Sequence, residues 1–474
     1  MTNKSTKSVI IAIATIFAAL TGCKKDESFS SFMFETTSVD FEWGQTKEIA
    51  FTTNKIGGFT TPTAPSGWTC VRSGNKVIIT SPEESASATL MGSVSMTAHG
   101  DEGATLTSTI KVAIRIAEEI VRPANSYIVA QPDKRYKFNA LRRGGESAET
   151  ITGAVSATRL WSTSKNAIVN VSLENGYVYF ATGADAVFGD ANAVLAILDK
   201  DGKALWSWHI WAVTEDPTAN PDIVGDYKVM NRNLGAFTSS DATPEDVARS
   251  FGLYYQWGRK DPFVGPGVWN STSPRTLYSN SGGVMSHTFK VSDAEIGTVD
   301  WAVANPNTFI AGADKGEGSS DFGWLDFPND QLWVDPVTGA KTIYDPCPDG
   351  WRVAPSDIWS DFIAGAIDDP AAFNVDGEYQ YGWQFVNGES TIFYPAAGRR
   401  SFSPTLAKPE DNFTNVVNDA NGVGYPVGFY WSSDSPRVYS LAFSRDHINP
   451  GGATPRPTPE TSAAGGFPLR CVAI

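Results

Sequence analysis

The chain is short of positive charge, of histidine and of cysteine. Its 474 residues carry 37 Lys and Arg against 52 Asp and Glu, a net charge of −15. A deficit of that size sets nucleic acid and anionic lipid surfaces aside as partners. The four histidines, His99, His209, His287 and His447, fall in separate segments. None has a His-x-His or acidic cluster beside it, so no metal and no cofactor is expected. The four cysteines, Cys23, Cys70, Cys347 and Cys471, include no C-x-x-C pair, which removes zinc-ribbon and thioredoxin-type chemistry. Gly-x-Ser-x-Gly is missing, and no histidine has a nearby partner for nucleophilic catalysis. Beyond residue 20 no run of 18 apolar residues occurs, so no later segment reads as a membrane span. These gaps point away from an enzyme.

What is present begins with residues 1–22. Lys4 and Lys7 precede an apolar run from Val9 to Leu20, interrupted only by Thr15. The run falls short of the ~20 residues that span a bilayer as a helix, and it suits a secretory signal. It ends in Leu20-Thr21-Gly22-Cys23, which resembles a bacterial lipobox. The resemblance implies cleavage before Cys23 and lipidation of that cysteine; several acyl chains make a stable membrane anchor where one is marginal. The following Lys24-Lys25-Asp26-Glu27-Ser28 resembles the short signal that sends lipoproteins of Bacteroidetes-type bacteria to the outside of the outer membrane. Residues 23–31 then read as a tether. Losing Lys4 and Lys7 leaves 35 basic residues against 52 acidic, a mature charge of −17.

Residues 32–117 carry short alternating runs such as "KEIAFTT", "KVIITS" and "TSTIKVAIRI", separated by turns such as Ser73-Gly74-Asn75. Strands at this spacing predict an immunoglobulin-like β-sandwich, which resembles adhesin-type spacer domains and suits a stalk. Cys70 is expected on a buried strand. Residues 118–215 predict a second β-rich domain. Its last hairpin turns at Asp201-Gly202 and ends in "ALWSWHIWAV", Ala204 to Val213. "DKDGK" lacks the ligands of a calcium loop. With period 2, Trp206, Trp208 and Ile210 share one face, and Ser207, His209 and Trp211 the other. Both faces are apolar enough to be covered, so a packed strand is expected rather than a metal site.

From Gly225 onward four patches carry a resemblance. They are "VMNRNLGAF" (Val229 to Phe237), "SFGLYYQWGRKDPF" (Ser250 to Phe263), "CPDGWRVAPSDIWSDF" (Cys347 to Phe362) and "FYWSSD" followed by "FPLRCVAI". Together they are similar to the Fibrobacter succinogenes major paralogous domain of Bacteroidetes lipoproteins. That resemblance implies a C-type-lectin-like fold over residues 216–474. It also implies a disulfide from Cys347 to Cys471, worth ~4–5 kcal/mol in the chain-entropy model. The expected fold class is mainly β and multidomain: immunoglobulin-like sandwich, second β-rich domain, then a C-type-lectin-like α+β domain. Ser356 is a good helix N-cap for "DIWSDFIAGAI", with Trp359 and Phe362 facing inward.

Two long insertions, Gly258 to Cys347 and the low-complexity "NPGGATPRPTPETSAAGG" from Asn449, are expected to display binding residues. Trp269, Trp324 and Trp333 are the candidates, stacking on sugar rings. Calcium-lectin triplets are absent. "GFPLRCV" is similar to a pattern near the end of formylglycine-generating enzymes, whose reactive cysteine pair is missing here. The expected function is a surface-anchored, non-catalytic binding or adhesion module for a glycan or a host or matrix protein. The alternatives are an accessory tip or anchor component of a fimbria-like assembly, or an inactive relative of those enzymes. No arginine precedes Arg72 in the mature chain, which counts against a pilin shaft polymerised by arginine-specific cleavage.

Overall fold

The computed structural model describes residues 29–474 apart from 86–87, 146–149, 185–187, 269–272, 313–322, 330, 363–373, 380, 403–415, 419–423, 435–439, 445–446 and 450–462. Cys23, Trp269 and most of the loop after Asn449 therefore lie outside the described residues. The chain divides into two compact units, Met1–Ile116 and Ala117–Ile474. No described helix is long and apolar enough to cross a membrane.

The first unit is an immunoglobulin-like β-sandwich. One sheet orders Ser31–Phe34, Thr46–Asn54, Lys76–Thr80 and Thr69–Ser73. The other orders Ser38–Phe41, Thr105–Ile114, Met91–Gly100 and Ile56–Phe59, with Ser38–Phe41 parallel to its neighbour. Alternation does the work: in Lys76–Thr80, Val77 and Ile79 are fully buried. They meet Phe34, Phe41, Phe51, Trp68, Val94 and Ile110 in one core. Cys70 lies on the strand Thr69–Ser73 but is half-buried rather than buried, and desolvation pushes its thiol up to about 11.

The second unit starts with two sheets. The first orders Ile168–Glu174, Tyr177–Thr182, Arg135–Asn139 and Glu118–Ile120. The second orders Ser126–Val129, Ala204–Ala212, Ala191–Leu198, Ser156–Ser162, Leu277–Tyr278 and Val284–Met285. Its last two strands come from beyond residue 216, where Ser162 pairs with Tyr278. Residues 118–215 and 216–474 thus complete one sheet between them and lie within one compact unit.

The strand Ala204–Ala212 is covered on both sides, since every residue but Leu205 is buried. Trp206, Trp208 and Ile210 pack with Phe138, Phe180 and Leu195. Trp211, on the opposite face, packs with Met230, Leu253 and Trp257. The preceding turn places Gly202 at φ +79°, a conformation that favours glycine, and the Asp199 carboxylate accepts from the Asp201 and Lys203 amides.

The C-terminal half is built of small sheets and short helices. One sheet orders Asp222–Val224, Tyr227–Val229, Cys471–Ala473 and Trp351–Val353. It brings the second strand of this half, Tyr227–Val229, against the last, Val229 opposite Val472. Cys347 and Cys471 form a disulfide with Cα atoms 6.0 Å apart, closing a sequence separation of 124. Residues Ser356–Phe362 form a 3-10 helix rather than the start of an α-helix, with Trp359 and Phe362 buried as their spacing predicts.

Candidate functional site

Polar side chains are buried at the seam between residues 118–215 and the C-terminal half. The Asn125 amide donates to the carbonyls of Ile343 (2.7 Å) and Asp345 (2.8 Å), and its Oδ1 accepts from the Trp206 indole. The Trp211 indole donates to Ala236 O at 3.0 Å. Lys260 and Asp261 are both buried and 2.6 Å apart. Ser207 accepts from Lys260 Nζ and donates to Asp261 Oδ1, while Lys260 sits 4.6 Å from the Trp206 ring centre. Desolvation lowers the Lys260 pKa, and the Asp261 charge opposes that shift.

Both ring nitrogens of His209 are engaged by protein groups. Its Nε2 lies 2.8 Å from Asn192 Oδ1, and the Asn192 amide donates to Gly235 O. Its Nδ1 lies 3.0 Å from the Ser126 hydroxyl, which also reaches Pro346 O at 2.6 Å. Burial depresses its pKa to about 3, so the ring is neutral. Among the described residues no three His, Cys, Asp or Glu side chains converge as a metal site.

The tryptophan assignment requires correction. Trp324 and Trp333 are 1% and 0% exposed. Their indoles donate to the carbonyls of Trp257 and Arg259, and Trp333 packs 5.3 Å from Trp257. The insertion after Gly258 folds back and spends these rings on the core around the disulfide. Neither offers a face to a sugar. Trp269 lies outside the described residues.

The open cavity lies elsewhere, against the helix Pro244–Ser250. Thr243 caps that helix, its Oγ1 accepting from the Asp246 amide, and proline opens the first turn. Glu245, Ala248 and Arg249 follow at i, i+3 and i+4, so they share a face. That face, with Asp190, Phe237, Pro244, Gly267, Val268 and Arg275, lines about 460 Å³. This volume falls in the range of small-molecule sites. Arg275 is held by its own backbone, its amide donating to Gly265 O at 2.8 Å beside the Pro266–Pro274 bridge.

The charges in the cavity are unevenly matched. Arg249 is 2.5 Å from Asp190 and 3.4 Å from Asp246, and the Asp190 hydrogen bond raises its pKa. The Arg275 guanidinium makes one hydrogen bond among the described residues, to Ala248 O at 3.3 Å. Its guanidinium lies 5.3 Å from the Phe237 ring. Desolvation, then the nearby Arg249 charge, lowers its pKa, while Asp190 acts the other way. The cavity therefore offers an arginine with spare donors, an aromatic and aliphatic wall, and an exposed carboxylate, Glu245, at its rim.

Nothing in the sequence marked these residues. Thr243-Pro244-Glu245-Asp246 is a legible helix start, but Asp190, Phe237 and Arg275 reach the cavity from three distant segments.

No family model matches this chain, and no curated protein does. Solved structures are similar over part of it. A chimeric titin Z1Z2 carrying a decorin peptide is 13% identical, with 39% of this chain and 96% of that one covered, at a TM-score of 0.16. The N-terminal Ig1-2 module of the Drosophila receptor protein tyrosine phosphatase DLAR is 9% identical, with 39% and 98% covered, at 0.16. An endo-fucoidan hydrolase of glycoside hydrolase family 107 is 13% identical, with 37% and 32% covered, at 0.16. Likeness at this level carries no functional argument.

Proposed function

We propose that this chain is an outer-membrane lipoprotein, displayed at the cell surface, whose C-terminal half is a non-catalytic recognition head for a glycan or for a host or matrix protein. The observation that carries the reading is the cavity of about 460 Å³ beside Pro244–Ser250, which combines an apolar wall with an arginine whose donors are largely unused. A groove of that composition binds by orientation and contact. The pairing of Val229 with Val472 and the Cys347–Cys471 bridge support a C-type-lectin-like head, since both close its two ends together. The lipobox at Cys23 supports the anchor, and the sandwich of the first unit suits a spacer.

Two measurements test this reading. Labelling with radioactive palmitate in the native host is expected to mark the chain and to disappear in Cys23→Ala, which then leaves the membrane fraction. A lipid-free chain beginning after Cys23, probed against glycan and matrix-protein arrays, is expected to give saturable binding. Silence across both arrays, with co-purification of fimbrial proteins, would replace recognition by an accessory role in a surface assembly.

A further inference from the structure

Resting on the reading of the C-terminal half as a binding module, we propose that the cavity beside Pro244–Ser250 is a subsite for a sugar residue bearing a carboxylate, a hexuronate-type unit, with Arg275 as the group that takes the carboxylate.

The argument begins with charge. Arg249 is already neutralised, held by Asp190 and Asp246. Arg275 is not: among the described residues no carboxylate lies within ion-pair distance of it, and one backbone carbonyl at 3.3 Å is the only acceptor of its guanidinium. A guanidinium presents five N–H donors in a planar fork that matches a carboxylate in two parallel bonds. Arg275 lines the cavity, and N–H groups of that fork beyond the one on Ala248 O have no acceptor among the described residues. Arg275 is also partly buried, which strengthens its attraction to an incoming anion. Burying a cation without a partner is costly, and a ligand carboxylate removes that cost.

Shape and the remaining lining favour a sugar over other carboxylates. Phe237, Pro244, Ala248 and Val268 form an apolar wall, the surface on which the C–H face of a pyranose packs. Val268 is 62% exposed, so part of this wall is open to an incoming ring. Glu245 is exposed at the rim, where solvent screens its charge and its oxygens accept from sugar hydroxyls. The chain's net charge of −15 repels densely charged polyanions at long range. The favoured ligand is therefore an isolated acidic residue on an otherwise neutral glycan.

The test uses the lipid-free full chain and calorimetric titration with four probes: a methyl hexuronoside, its neutral methyl ester, a sulfated monosaccharide, and a short acetylated peptide with a free C-terminal carboxylate. The uronoside is expected to bind, and the ester to bind at least about tenfold more weakly, as loss of a charge-assisted pair implies. Arg275→Met is expected to abolish that discrimination and Arg275→Lys to restore part of it, with unchanged circular dichroism showing that both variants fold. Equal or tighter binding of the peptide or of the sulfated sugar overturns the assignment to a carboxylate-bearing sugar. Uronoside binding that survives Arg275→Met overturns the role of that residue. If no acidic probe binds while the arrays still report a ligand, this inference fails and the binding module stands. If the arrays are silent too, both fail.

Discussion

Single side chains in the second unit carry charge into places where water does not follow. Lys260 and Asp261 form a buried pair braced by Ser207. Lys260→Met strands the Asp261 carboxylate and should cost ~3–5 kcal/mol, whereas the double change Lys260→Met with Asp261→Leu should recover much of that loss; urea titration of both variants measures the difference. Two buried histidines make stability depend on pH on the acid side. Burial depresses His209 and His287 to about 3 in the folded chain, against an ordinary 6.5. Above pH 6.5 both states are neutral and nothing changes. Below it the unfolded chain takes up protons that the folded chain refuses, so stability falls as pH drops from about 6.5 toward about 3. The slope is ~1.4 kcal/mol per pH unit for each histidine. Replacing both by Gln should flatten the slope of ΔG against pH across that window, whatever it does to stability at neutral pH. Trp324→Ala and Trp333→Ala should each cost ~3–5 kcal/mol, and calorimetry should find affinity for the cavity's ligand unchanged in whatever fraction stays folded.

At the scale of the element, local pattern and long-range partner separate what was legible from what was not. Alternation in Ala204–Ala212 assigned Trp206 and Trp208 to one face and Trp211 to the other, and the structure places them in two different cores. Asp201-Gly202 named the hairpin. The Thr243 cap was readable in principle, because it depends on residues within one turn. Trp324 and Trp333 defeated the reading because a tryptophan in a long insertion looks the same whether it faces water or turns inward. What decides is the carbonyls of Trp257 and Arg259, which sequence does not bring into view. Arg275 was hidden for the same reason: what sets it apart is that no described carboxylate pairs with it. Thr243→Ala removes the cap that holds Arg249 and Ala248 against the cavity. It should cost ~1 kcal/mol of stability and loosen ligand binding, read by thermal melting and titration on the same sample.

The whole molecule has two compact units, and the described residues hold one disulfide. The Cys347–Cys471 bridge closes 124 residues within the second unit, and Cys70 of the first unit takes no part. Reduction, or Cys347→Ser with Cys471→Ser, should lower the stability of the second unit by ~4–5 kcal/mol in the chain-entropy model. The melting of the first unit should not move. Differential scanning calorimetry with and without reductant should therefore resolve two transitions, only one of which responds.

The shared six-stranded sheet carries a practical lesson for anyone who shortens this polypeptide. A cut near residue 216, at the boundary expected from sequence, would leave the paired strands Leu277–Tyr278 and Val284–Met285 without Ser156–Ser162 beside them. It would also strip the cover from Met230 and Trp257, and a fragment so trimmed should clump on expression. One that starts at Ala117 keeps its own lid and should stay in solution.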